Sequence, residues 1–130
     1  MADFWDLWSN GSQGVTTSFL GNALQARTTP GLLYGLDGWT SESGVVYIYV
    51  FDSAAAVASA NPPASDYKHV IQVSSGGGNF GLTEPPVGEY FANGIYIAVS
   101  TTAPPNFTLS AGGVTKINCQ TGPIFGSGQP

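Results

Sequence analysis

Seven consecutive residues, Val45-Val46-Tyr47-Ile48-Tyr49-Val50-Phe51, are all β-branched or aromatic. Such side chains favour a pleated backbone, and a run without polar alternation reads as a strand, Val45 to Asp52, buried on both faces and central in its sheet. Further strands must surround it. Val15 to Leu20, Ala23 to Thr28 and Leu32 to Thr40 precede it, with Pro30-Gly31 between the last two. Tyr67 to Val73, Asn79 to Leu82, Glu89 to Phe91, Ile95 to Val99, Phe107 to Ser110 and Val114 to Cys119 follow. Turn-forming Gly, Pro, Asn and Ser separate them. Asn93-Gly94, between Tyr90-Phe91 and Ile95 to Val99, is the signal of a type I′ hairpin joining two antiparallel strands. Ala54 to Ala60 has the composition of a short helical turn, but Asn61-Pro62-Pro63 stops it. Ser53 to Ser65 therefore reads as a long connection linking the two sheets of a sandwich. Phe107 to Ser110 and Val114 to Cys119, parted by Gly112-Gly113, read as the closing pair.

These short strands and their turn spacing predict an all-β fold, a single antiparallel β-sandwich. At 130 residues the chain has room for one such domain. Residues 1–12 read as an N-terminal arm, 13–121 as the sandwich and 122–130 as a C-terminal extension. The arm sets Phe4, Trp5, Leu7 and Trp8 beside Asp3 and Asp6. Apolar side chains on a terminal segment are an aggregation hazard unless they dock, so these four are the expected partner-binding residues. Trp39 sits in an apolar strand and is expected in the core.

Only 8% of residues are charged, and three basic residues face eight acidic ones for a net charge of −5. Such a chain cannot neutralise a row of phosphates, so no nucleic-acid partner is expected. There is no apolar run of roughly 18 residues and no basic stretch leading into an apolar block, so neither a membrane partner nor a secretion signal is expected. Cys119 is the one cysteine. An intrachain disulfide is excluded, which fits synthesis in a reducing compartment.

Residues able to carry chemistry are few. His69 is the one histidine and, with a single distant cysteine, makes no zinc set, so no metal is expected. No serine lies in a G-x-S-x-G frame, and Gly11-Ser12-Gln13-Gly14 does not supply one. Glu84 with Glu89, or Asp37 with Glu42, are the carboxylate pairs that glycoside hydrolysis would require. Glu84 precedes Pro85-Pro86 and Glu89 follows Gly88, positions where carboxylates commonly cap turns or stay solvated. Gly76 to Gly78 with Gly81 lacks the Lys-Ser/Thr ending and the following helix of a phosphate loop and reads as a flexible turn. Cys119 has no cationic neighbour and reads as a small buried hydrophobe. Neither catalysis nor a cofactor is expected.

Four segments stand in order along the chain: Tyr47-Ile48-Tyr49-Val50-Phe51-Asp52-Ser53-Ala54, Pro62-Pro63, Val70-Ile71-Gln72-Val73 and Phe91-Ala92-Asn93-Gly94-Ile95-Tyr96-Ile97-Ala98-Val99-Ser100-Thr101-Thr102. As a set the sequence resembles the small capsid decoration, or cement, proteins of tailed bacteriophages. The resemblance spans residues 23 to 120 and leaves the arm and the Gly-rich tail outside. It implies a jelly-roll-like sandwich and a structural virion protein on the outer capsid surface, synthesised in the host bacterial cytoplasm. Its implied partner is the major capsid protein, whose junctions it would bind. A protein that binds only the assembled shell deepens that state's free-energy well. A homo-oligomer, with a trimer favoured, would match the local three-fold positions of an icosahedral lattice. The alternative is a carbohydrate- or receptor-binding module on a head or tail fibre, which requires an exposed aromatic cluster lined by Asn, Asp or Gln.

Overall fold

The structure is a computed structural model that describes residues 15–83 and 88–123. Among them are nine strands: β1 (Val15–Leu20), β2 (Ala23–Arg27), β3 (Gly31–Thr40), β4 (Val46–Asp52), β5 (Tyr67–Val73), β6 (Gly78–Thr83), β7 (Glu89–Phe91), β8 (Ile95–Ser100) and β9 (Thr115–Gly122). One sheet has the order β1-β9-β3-β6, with β7 also pairing β3, and the other the order β2-β8-β4-β5. Every pairing is antiparallel. The expected β-sandwich is therefore the fold. The arm, including Phe4, Trp5, Leu7 and Trp8, lies outside the described residues.

The pairs nest: β4 with β5, β3 with β6 and β7, β2 with β8, and β1 with β9. Successive pairs fall alternately in the two sheets, as when one long hairpin with β4-β5 at its tip is rolled up. That connectivity is a jelly roll. Between the sheets, Val46, Ile48 and Val50 of β4 and Ile95, Ile97 and Val99 of β8 pack against Leu33, Leu36, Ile117 and Cys119.

Alternate residues of the same two strands, Tyr49 and Phe51 with Tyr96 and Ala98, point away from that core into a second one that also holds Val57 and Phe107. The cover over this face comes from the connections after β4 and after β8. They are tied by Ala60 N–H to Phe107 O at 2.9 Å and Phe107 N–H to Ala60 O at 3.0 Å. The Phe107 ring stands edge-on to Phe51 with centroids 5.0 Å apart, and the Tyr49 hydroxyl donates to the Asn106 carbonyl. Two cores, one on each face, explain why β4 carries no polar alternation.

Three expectations are corrected. Residues 53–65 join β4 to β5, neighbours in one sheet, and cover that sheet's outer face instead of linking the two sheets; Ala54 to Ala60 form no helical turn. Phe107 to Ser110 do not pair with β9 but form the isolated bridges Ala60↔Phe107 and Ser100↔Leu109, because Phe107 is drawn into the second core. Asn93-Gly94 is not a hairpin turn, since β7 and β8 belong to different sheets and neither residue has positive φ. Instead the Asp52 carboxylate accepts the backbone N–H groups of Ala92, Asn93 and Gly94 at 3.2, 2.8 and 3.4 Å, which holds an inter-sheet corner. Glycine is needed there for closeness: a Cβ on Gly94 would lie 2.6 Å from Arg27 O and 2.7 Å from Ser53 O. β9 also runs through Gly122, opposite Leu32, one residue into the stretch read as an extension.

Candidate functional site

The two outer faces of the sandwich differ. That of the four-stranded sheet lies under the second core, whereas that of the five-stranded sheet has no such cover among the described residues. Its composition follows from alternation in β3. Leu36 and Thr40 are buried, so Asp37 and Trp39, one position offset, face out. Register then builds rows across the strands. Asn79, Trp39, Lys116 and Leu20 stand side by side, and next to them Gly81, Asp37, Asn118 and Ser18. Within the second row, Ser18 Oγ donates to Asn118 Oδ1 at 2.8 Å and Asn118 Nδ2 donates to Asp37 Oδ1 at 2.9 Å. This chain fixes the carboxylate's orientation.

Trp39 is 40% exposed, which overturns its expected place in the core. The signal was present in the sequence. A strand residue shares its face with the residue two positions away, so a solvated Asp37 puts Trp39 in solvent too. An indole beside amides and one oriented carboxylate can stack on a flat apolar surface while neighbours exchange hydrogen bonds with polar substituents.

The other candidate residues separate. His69 Nε2 pairs with Glu89 Oε1, and Lys68 Nζ donates to Tyr90 O at 2.7 Å while lying 5.0 Å from the Phe91 ring centroid. These contacts close the sandwich edge between β5 and β7, where no backbone ladder runs. Glu84 lies outside the described residues. Asp37 and Glu42 do not share a cleft: Asp37 is exposed, whereas Glu42 is buried and accepts from Ser110 Oγ at 2.6 Å. Gly76, Gly77 and Gly78 all have positive φ and turn the chain from β5 to β6, with Gly76 N–H bonded to Ser43 O at 2.9 Å. Cys119 is buried, and burial pushes its thiol from 9.0 up to about 12. Among the described residues no three of His, Cys, Asp and Glu gather into a metal-binding group, and no helix is long and apolar enough to cross a membrane.

No family model, no curated protein and no solved structure matches the chain.

Proposed function

We propose that the protein is a structural virion protein that decorates a bacteriophage capsid and stabilises it by binding major-capsid-protein junctions, as a homo-oligomer and most simply a trimer. One observation carries this reading. The two most informative segments of the resemblance form a single unit, since residues 47–52 of β4 pair with residues 95–100 of β8. Asp52 and Ser53 then clasp the 92–94 corner, with Ser53 N–H donating to Gly94 O at 3.1 Å. The segments on which the resemblance rests are thus one connected piece of a jelly roll. Phe4, Trp5, Leu7 and Trp8 remain the proposed anchors, aromatic side chains being the type that dominates interfaces. Immunogold labelling of virions tests the placement. Label spread over the head is expected; label confined to the tail, or absent, would overturn it.

The second reading, a carbohydrate-binding module on a head or tail fibre, is favoured by a different observation: in the outer-face rows one exposed aromatic, Trp39, stands in place of the expected cluster, among Asp37, Asn79 and Asn118. Label at fibre tips is the outcome it expects.

A further inference from the structure

We infer that the outer face of the five-stranded sheet binds an uncharged glycan, with Trp39 as the stacking platform and Asp37, Asn79 and Asn118 as hydroxyl partners. The inference rests on the carbohydrate-binding reading and is independent of the capsid reading.

The geometry suits an extended, thin ligand. Positions two apart on a strand are separated by roughly 7 Å and neighbouring strands by about 4.8 Å. A pyranose ring stacked on Trp39 therefore has Asn79 to one side in the same row and Asp37 in the next. Glycines keep the surface low around Asp37. Gly81 stands opposite it on β6, and Gly35 precedes it on the outward face of β3. A Cβ added at Gly81 would meet Asp37 Cβ only at 3.8 Å, so the position is open without strain. The result is a shallow trough with an aromatic wall.

Charge decides the ligand class. The two rows hold one carboxylate, Asp37, and one ammonium, Lys116, beside the amides of Asn79 and Asn118, the Ser18 hydroxyl, the Trp39 indole, exposed Leu20 and Gly81. A face without net charge offers a polyanion no counterion gain and a basic peptide no acidic patch. An apolar protein surface is also a poor match, because covering Trp39 would bury Asp37, Asn79 and Lys116 with it. A neutral polyhydroxylated chain complements what is present: apolar ring faces for the indole, and hydroxyls that both donate and accept. Asp37 accepts one bond from Asn118 and, being exposed, keeps acceptor capacity for a hydroxyl. Because the Ser18–Asn118–Asp37 chain already orients the carboxylate, less side-chain freedom is lost on binding.

The test is an array of neutral homopolysaccharides (glucans, mannans, galactans and xylans) beside heparin and polyphosphate, probed with the full chain and with Trp39→Ala and Gly81→Val. Retention on at least one neutral polysaccharide is expected. Trp39→Ala should weaken it about tenfold or more, and Gly81→Val, which fills the trough, should do likewise. Both variants should keep the wild-type melting transition and oligomeric mass. No retention on any polysaccharide, heparin included, would overturn the inference together with the reading beneath it. Retention that both variants leave unchanged would overturn the site alone. Retention only on the polyanions, or an oligomer that Trp39→Ala dissociates, would assign the face to another partner.

Discussion

Replacing Phe107 with Ala removes the centre of the second core and tests why β4 and β8 are buried on both faces. The side chain is 1% exposed, edge-on to Phe51 at 5.0 Å and tilted against Tyr49 at 5.3 Å. Truncating a core Phe costs about 3–5 kcal/mol, a range that already contains the lost ring contacts. Here the cover is made of connections that can settle into the space, which points to the lower end, about 3 kcal/mol. For a chain of this size each kcal/mol moves Tm by roughly 4 °C, so a fall of about 12 °C is expected. Urea denaturation supplies the free energy, read from the midpoint at constant slope. Trp39→Ala, on the open face, should stay within about 0.5 kcal/mol in the same assay. A Phe107→Ala loss below about 1 kcal/mol would refute the second core, since the covering segments would then rest on the sheet without packing into it.

Asp52→Ala should cost about 2 kcal/mol, because three backbone donors at the 92–94 corner lose one charged acceptor and solvent replaces it only in part; amide exchange at Ala92 to Gly94 should quicken. Gly94→Ala should destabilise by about 1–3 kcal/mol, since its Cβ would meet backbone atoms of Arg27 and Ser53, while Gly44→Ala, with open space around it, should be near neutral. Alkaline titration should lower stability. Burial raises the Cys119 thiol from 9.0 and the Tyr49 hydroxyl from 10.0, each to about 12. The unfolded chain releases these protons first, so stability is intact below pH 9 and falls as pH rises toward 12. Cys119→Ala should flatten the onset between pH 9 and 10, and a curve without that change would contradict the assigned cause.

Strand positions were largely legible because local patterns decide them. β5 and β7 match their expected bounds, and the unbroken apolar character of Val46 to Phe51 marked a doubly buried strand before any partner was known. Sheet membership was not legible. Nothing local tells Val15 to Leu20 to pair with Thr115 to Gly122 at the far end of the chain, nor tells β7 and β8 to part into different sheets. The Asn93-Gly94 corner departs from its local hairpin signal for that reason: its conformation is imposed by Asp52, a residue distant in sequence, and by crowding from Arg27 and Ser53. Trp39 lies in a strand that is apolar on average, and only the alternation past Asp37 puts it on the outer face. The Tyr34 position, where the register of β3 against β9 shifts, interrupts the simple two-residue period and hides that pattern.

The most direct test of the proposed function is a heat ramp on purified capsids stripped of small surface proteins, with and without added full-length chain, following DNA release. The account predicts saturable binding and a release midpoint that rises with occupancy. Binding that leaves the midpoint unchanged, or no binding, would contradict it.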